Sequence, residues 1–202
     1  MIKKANLAVF LSGKGSNFVA LLDAIAFGKL DVRVAVVISN NSEAGGLRIA
    51  ADKGIPAEVI ERTAFTTGEE FGSAILIALQ THDVDLIALA GYLRKIPPLV
   101  TRAFPRRIVN IHPALLPKFG GKGMYGHFVH EAVIKAGESE TGATVHYVDE
   151  IYDNGDIIAQ RKIAVHPGET PESLGRRVLE IEHQLYPEIL QHLVNQILQK
   201  KY

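Results

Sequence analysis

The chain has 202 residues, 22 Lys and Arg against 22 Asp and Glu, no Cys, and 47% hydrophobic residues. This length and balance predict one globular domain, residues 1–202, and exclude a disordered chain or a disulfide framework. A formal net charge of zero argues against nucleic-acid binding, and no apolar stretch approaches the ~20 residues of a membrane helix.

The first half of the chain alternates predicted strands with predicted helices. Short apolar runs predict strands at 5–11, 32–39, 57–60, 84–90 and 108–111. Apolar residues at helical spacing predict helices at 17–27, 43–53 and 67–80. Strands alternating with helices indicate right-handed βαβ crossovers. We therefore expect an α/β fold, a doubly wound, mostly parallel sheet with helices on both faces.

The pattern changes after residue 112, which divides the predicted domain into halves at 1–112 and 113–202. Residues 116–126 are rich in Gly, Lys and aromatics without periodicity, which predicts a mobile loop. A helix at 127–135 follows. Residues 144–148 and 157–165 then predict an antiparallel pair of strands joined by an acidic turn.

The two ends of the chain bear on the location of the protein and on its last helix. Met1-Ile2-Lys3-Lys4 has the charge of a signal-peptide start, but no cleavage-type sequence follows, so we expect a cytoplasmic protein. Thr170 as N-cap and Pro171 in the first turn predict a long final helix. This helix should run to the C-terminus and be bent or interrupted at Pro187.

A glycine-rich turn, Ser12-Gly13-Lys14-Gly15-Ser16-Asn17, joins the first strand to the first helix. Outward-pointing backbone N–H groups and the positive end of a helix favour a bound phosphate. The turn lacks the Walker spacing, and Phe18 stands where a dinucleotide fingerprint needs its third glycine. The pattern predicts a monophosphate site, although such turns also occur without a ligand.

Asn110 and His112 end the fifth predicted strand, two residues apart, so their side chains share one side of the sheet. Ligands bind at the carboxyl ends of parallel strands. A side-chain amide beside an imidazole can donate two hydrogen bonds to one developing oxyanion. The alternative is a satisfied structural histidine.

The acidic turn 149–156 holds four carboxylates, which is also the composition of a solvated surface turn. One of these carboxylates could orient His112 and raise its pKa toward the working pH. His127, His130 and Glu131 are close together on a predicted helix, and imidazole and carboxylate groups can bind a metal. With no matching ligand cluster elsewhere, we expect no metal.

Five segments of the sequence carry a family pattern. They are Ser12-Gly13-Lys14-Gly15-Ser16-Asn17, Leu89-Ala90-Gly91-Tyr92-Leu93-Arg94, Asn110-Ile111-His112-Pro113-Ala114-Leu115-Leu116-Pro117-Lys118, Thr141-Gly142-Ala143-Thr144-Val145-His146 and Glu182-His183-Gln184-Leu185-Tyr186-Pro187. In this order they resemble the glycinamide ribonucleotide formyltransferases of purine biosynthesis. The Asn-Ile-His-Pro run is shared by other enzymes that use 10-formyltetrahydrofolate, so it is specific for the reaction and not for the acceptor. The glycine-rich turn and the short chain favour the ribonucleotide enzyme.

The resemblance implies roles for particular residues. Asn110, His112 and Asp153 would be catalytic, with Asp153 preferred over Asp149 and Asp156 although Asn154 stands where a glycine is common. The residues that would hold the substrate phosphate and ribose are Gly15, Ser16, Asn17 and Glu182. Those that would lie against the folate are Arg94, Lys95, Ile96, Val148, Asp149 and Asp153.

The resemblance also implies 10-formyltetrahydrofolate as co-substrate, glycinamide ribonucleotide as acceptor, no metal, no nucleic-acid or membrane partner, and a monomer or homodimer. Residues 119–126 depart from the loop expected for the family, which leaves the loop's lid role in question. Two alternatives stay open, namely a formyltransferase for another amine and a non-catalytic module that binds a nucleotide phosphate.

Overall fold

The computed structural model describes residues 4–201; Met1, Ile2, Lys3 and Tyr202, and with them most of the segment considered as a signal sequence, lie outside it. The strands are β1 Ala5–Leu11, β2 Val32–Ser39, β3 Ala57–Val59, β4 Leu86–Leu89, β5 Ile108–His112, β6 Glu140–Tyr147 and β7 Ile157–Ala164. The helices are α1 Ser16–Ala26, α2 Gly45–Asp52, α3 Gly68–Thr81, α4 Pro98–Ala103, α5 His127–Lys135 and α6 Pro171–Lys201, with a short 3₁₀ turn at Arg62–Ala64.

One seven-stranded sheet runs through the whole chain in the order β3-β2-β1-β4-β5-β6-β7. Its first five strands are parallel, and β6 and β7 continue it as antiparallel strands. The predicted fold class is confirmed, because a mostly parallel sheet carries helices on both faces and ends in an antiparallel pair and a long helix. Both predicted halves contribute strands to this one sheet.

The core lies on both faces of the sheet because β1 alternates its side chains between them. Leu7, Val9 and Leu11 pack on the side of α1 and α6. Ala8 and Phe10 pack on the opposite side with α3 and α4. All five side chains are buried, which is why the strand reads as one continuous apolar run in the sequence.

Three elements differ from the sequence prediction. Helix α4 was not predicted because it has six residues, too few to show a helical period. Strand β6 begins at Glu140, four residues earlier than predicted, and includes Gly142, where a side chain would collide with the carbonyl of Arg161. Helix α6 continues through Pro187 without interruption.

Among residues 4–201, no helix is both long and apolar enough to cross a membrane.

Candidate active site

A cleft of about 750 Å³ opens where β1, β4 and β5 end. Its walls include Ser16 and Asn17 of α1, the end of β5, the loop after residue 120, and one side of α6. Five buried side-chain atoms in the described part of the chain have no hydrogen-bond partner, and three of them belong to residues that line this cleft: Asn17, Tyr92 and His130. Unpaired buried polar groups are costly, so their concentration here indicates a ligand site.

The glycine-rich turn begins helix α1 at one end of the cleft. Gly15 is its N-cap, with a φ of 83°, a left-handed conformation that favours glycine. A side chain at Gly15 would also come within 3.0 Å of the Cα of Gly46. The turn therefore packs tightly against α2, while Ser16 and Asn17 face the cleft.

Glu182 of α6 reaches the same end of the cleft and meets Asn17. The Asn17 Nδ2 donates to Glu182 Oε2 at 2.6 Å, and both side chains are buried. Burial raises the pKa of Glu182 to about 7, and the hydrogen bond from Asn17 opposes this rise only in part. Near neutral pH this carboxyl group is thus divided between its charged and protonated forms.

Asn110 and His112 of β5 both turn toward Asp153 at the other end of the cleft. The Asn110 Nδ2 lies 3.5 Å from Asp153 Oδ1, and the His112 Nδ1 lies 3.6 Å from Asp153 Oδ2. His112 is 3% exposed and Asp153 is 11% exposed at the side chain. The strand alternation thus brings an amide and an imidazole to one buried carboxylate.

Of the acids of the late turn, Asp153 is the one that enters the cleft. It has a φ of 51°, in the left-handed region. Asp149 accepts a hydrogen bond from the backbone of Ile151 at 2.7 Å and so stabilises the turn. Asp156 is paired with Arg106 at 2.7 Å and is 75% exposed.

His146 of β6, which was not among the predicted site residues, completes this cluster. Its Nδ1 lies 2.8 Å from the carbonyl of Tyr147, which can only accept, so Nδ1 carries the proton. Nε2 lies 3.1 Å from the Asn110 Nδ2 and 3.6 Å from Asp153 Oδ1. A neutral ring accepts from the amide at this position, and a protonated ring presents an N–H to the carboxylate. His146 lies directly opposite Asn110 in the β5–β6 ladder. The sequence gives no register for two strands so far apart, so this pairing had no visible signal.

The electrostatics of His112 differ from the prediction. Burial lowers its pKa below the usual value, and the charge of Asp153 and the carbonyl of Phe119 offset this only partly. Asp153 does act to raise the pKa of His112, as predicted, but the expected net rise toward the working pH is wrong because burial outweighs it. Burial also disfavours ionised Asp153, but hydrogen bonds and charge from His146, His112 and Gly121 together lower its pKa.

The loop after β5 contacts the cluster through its backbone. The His112 Nε2 lies 2.8 Å from the carbonyl oxygen of Phe119, and the Gly121 N–H donates to Asp153 Oδ2 at 2.9 Å. Phe119 and Gly121 both have a positive φ. The loop thus lies over the cluster, in a segment that the sequence predicted without regular structure.

A second cavity of about 60 Å³ adjoins the cleft. Its walls include all six residues that the resemblance assigned to folate, Arg94, Lys95, Ile96, Val148, Asp149 and Asp153. Tyr92, Arg94, Asn110, Tyr152 and Asp153 line both cavities. These shared residues mark the junction of the two spaces, and they include Asn110 and Asp153 of the cluster.

The histidines considered for a metal do not form a ligand cluster. His130 is buried against Gly175, and burial, followed by the charge of His127 and His112, lowers its pKa to about 4. His127 is half exposed and lies 3.6 Å from Glu172. No group of three or more metal-binding side chains occurs within residues 4–201.

A sheet with its ligand cleft at the strand ends and a partly buried amide–imidazole–carboxylate cluster is an arrangement suited to group transfer. The chain belongs to the formyl transferase family, which matches residues 5–190. It is similar to phosphoribosylglycinamide formyltransferase of Haemophilus influenzae, with 40% identity over 91% of this chain and 84% of that protein.

Two further relatives agree with this family. The chain is 42% identical to the chloroplastic phosphoribosylglycinamide formyltransferase of Arabidopsis thaliana over 93% of its own length. It spans 65% of that plant protein, slightly less than two thirds. The crystal structure of glycinamide ribonucleotide transformylase 1 from Geobacillus kaustophilus superposes with a TM-score of 0.89 at 43% identity, covering 95% of this chain and all of that one.

Proposed function

We propose that the protein transfers the formyl group of 10-formyltetrahydrofolate to the amine of glycinamide ribonucleotide, in purine biosynthesis. The observation that carries this proposal is the junction of two cavities at Asn110 and Asp153, with His112 against the same carboxylate. One cavity can hold the acceptor and the other the donor, so that the formyl carbon meets the amine beside the cluster. The names of the relatives support the same pair of substrates.

The ends of the cleft suit the parts of the acceptor. The N-terminus of α1, with Gly15, Ser16 and Asn17, offers backbone N–H groups and a partial positive charge to a phosphate. Glu182 offers carboxyl oxygens to the ribose hydroxyls, and the unpaired Oδ1 of Asn17 offers another acceptor. The acceptor's amine would then extend toward β5.

The walls of the smaller cavity suit a pterin ring. Leu89, Ile96 and Val148 provide apolar surface, while Asp149 and Asp153 provide acceptors for ring N–H groups. A bicyclic ring needs more room than about 60 Å³, so we expect the exposed rim at Arg94 and Lys95 to move when the folate binds.

Asn110 and His112 would stabilise the oxyanion that forms when the amine attacks the formyl carbon. One N–H of Asn110 is held by His146 at 3.1 Å, while the other makes only a long 3.5 Å contact with Asp153 and is free to turn to the oxyanion. The His112 N–H would exchange the carbonyl of Phe119 for the oxyanion. Such donors contribute ~10²–10³ in rate each in other acyl transfers.

Asp153 would compensate the protonation of His112. The lowered pKa of His112 makes it neutral in the free cleft at neutral pH, and the negative charge of the oxyanion favours its protonation during the reaction. The new bond joins the amine nitrogen to the formyl carbon, and the bond from that carbon to N10 breaks. The ammonium loses one proton, and N10 gains one through water held by Asp153.

A direct assay tests the proposed reaction. The purified protein is mixed with glycinamide ribonucleotide and 10-formyl-5,8-dideazafolate, and release of the deformylated folate is followed by absorbance. We expect turnover with this acceptor, and loss of turnover by orders of magnitude in Asn110→Ala and His112→Ala. Turnover only with another amine, such as an amino sugar nucleotide, would reassign the acceptor. Binding of the ribonucleotide without folate binding in calorimetry would instead indicate a non-catalytic module.

Three expectations remain predictions. They are a nucleotide-phosphate-binding half at 1–112 with a folate-binding and catalytic half at 113–202, the cytoplasmic location, and the monomeric or homodimeric state. Light scattering of the purified protein measures the oligomeric state directly.

A further inference from the structure

Tyr92 carries a buried hydroxyl group without a hydrogen-bond partner among the residues that the structure describes. The residue is 8% exposed. Tyr186, which is fully buried, is different, because its hydroxyl donates to the carbonyl of Leu89 at 3.1 Å or to that of Val109 at 3.0 Å. Leaving a buried hydroxyl unpaired costs free energy of folding, so such a group is retained where a ligand can pair with it.

The position of Tyr92 indicates which ligand could pair with its hydroxyl group. It follows β4 directly and lines both the large cleft and the smaller cavity, as Asn110 and Asp153 do. Tyr92 therefore stands at the junction where, on the proposed function, the formyl-bearing end of the folate lies. The acceptor's phosphate and ribose are assigned to the far end of the cleft, near Ser16 and Glu182.

The ring of Tyr92 is held in place before any ligand binds. It packs edge-to-face on Phe10, with ring centroids 5.2 Å apart and an interplanar angle of 77°. The backbone N–H of the next residue, Leu93, donates to the Ser12 Oγ at 2.8 Å. The hydroxyl oxygen itself is covered in the free protein, so a folate reaches it only after the rim at Arg94 and Lys95 has moved. The ring then needs no reordering, and its hydrogen bond can contribute to selectivity.

The chemistry of the hydroxyl is that of a donor. Burial raises the pKa of Tyr92, so the group keeps its proton at physiological pH. A formylated folate presents oxygen and nitrogen acceptors at its reacting end, and a phenol can donate to either. A phenylalanine ring would give the same apolar contact without this bond.

We propose that Tyr92 is a specificity-determining residue for the formyl donor, whose hydroxyl donates a hydrogen bond to the folate where the two cavities meet. This inference rests on the proposed function. It adds a donor-binding group that neither the sequence analysis nor the cluster at Asp153 includes.

Tyr92→Phe tests the inference, since it removes the hydroxyl and keeps the ring. We expect kcat/KM for 10-formyl-5,8-dideazafolate to fall about 3- to 10-fold, the effect of one neutral hydrogen bond. The Kd of glycinamide ribonucleotide, measured by calorimetry without folate, should stay unchanged. The melting temperature should be unchanged or higher, because the variant no longer buries an unpaired hydroxyl.

Tyr186→Phe is the matched control for stability. It removes a hydroxyl that has partners, so its melting temperature should fall where that of Tyr92→Phe does not. An unchanged kcat/KM for the folate in Tyr92→Phe would overturn the inference, as would an equal loss for both substrates together with a lower melting temperature. A wild-type protein without formyl transfer would overturn the proposed function itself, which is a separate result.

Discussion

The cleft contains two buried carboxyl groups, one at each end, whose pKa values move in opposite directions. Burial penalises the charged form of both Glu182 and Asp153. Glu182 has a single neutral amide partner, Asn17, and its pKa rises to about 7. Asp153 is surrounded by His112, His146 and the N–H of Gly121, and its pKa falls.

The difference shows that the partners decide whether the effect of burial is overcome, because a single neutral amide leaves the pKa of Glu182 raised while several partners lower that of Asp153. A partly protonated Glu182 can both donate to and accept from ribose hydroxyl groups, which suits binding of a neutral diol. An ionised Asp153 can hold an imidazolium next to a forming oxyanion, which suits catalysis. Carboxyl groups with pKa values pushed apart are a common basis for separate roles in one active site.

Replacing the charged member of the pair should have the largest effect. Asp153→Asn keeps the size of the side chain but cannot compensate a protonated His112, so we expect kcat to fall ~10²–10⁴-fold. Steady-state kinetics at neutral pH measure this, with circular dichroism to confirm the fold. Asp156→Asn is the control, because Asp156 is exposed and paired with Arg106 outside the cleft. Near-normal turnover in folded Asp153→Asn would contradict the proposed role.

Glu182, the carboxyl group with the raised pKa, should affect the free energy of unfolding in a pH-dependent way. The pKa of Glu182 is raised from 4.5 to about 7, so its contribution to stability is fully present below pH 4.5 and is lost as the pH rises through about 7. Glu182→Gln cannot ionise and lacks this loss. From pH 5 to pH 8 we expect the wild type to lose about 2–3 kcal/mol of unfolding free energy relative to the variant.

Urea denaturation of both proteins at the two pH values measures this difference. The exposed Glu188, paired with Arg161, supplies the control variant Glu188→Gln, which should follow the wild type at both pH values. An equal pH dependence in wild type and Glu182→Gln would show that Glu182 titrates normally in the folded protein.

Removing one partner of Asp153 should raise its pKa toward that of Glu182. We expect the smallest effect of the three substitutions here. His146→Gln removes the largest of the interactions that lower the pKa of Asp153, so that pKa should rise. We expect kcat to fall about tenfold, which corresponds to about 1.4 kcal/mol of transition-state stabilisation. The acid limb of the kcat–pH profile should move to higher pH. An unmoved limb would mean that His146 acts on Asn110 alone.

Local patterns in the sequence were sufficient to predict the strands of the sheet and the side on which Asn110 and His112 lie. The apolar runs predicted β1, β2, β4 and β5 most directly, because buried parallel strands have no polar face to obscure them. Alternation along β5 placed Asn110 and His112 on one side. The glycine turn, with Gly15 at its positive φ, was visible as a strand-to-helix junction.

The remaining features depend on contacts between distant segments. The pairing of His146 with Asn110 requires the register of β5 against β6, 36 residues apart. The pKa of His112 was predicted in the wrong direction, because a sequence shows a possible carboxylate partner but not the extent of burial. The unpaired hydroxyl of Tyr92 likewise depends on what the fold leaves around it.

The bonds from Phe119 and Gly121 to the cluster come from main-chain atoms of the loop. A main-chain carbonyl or amide is present whatever the side chain, provided that the backbone keeps its path. The non-glycine side chains of residues 119–126 can therefore differ while the acid and the imidazole beneath them keep the same two restraints, whereas Gly121, Gly123 and Gly126 have a positive φ that favours glycine. The contribution of this loop to the Asp153 cluster is thus its backbone path, which is compatible with an unusual loop sequence directly above that cluster.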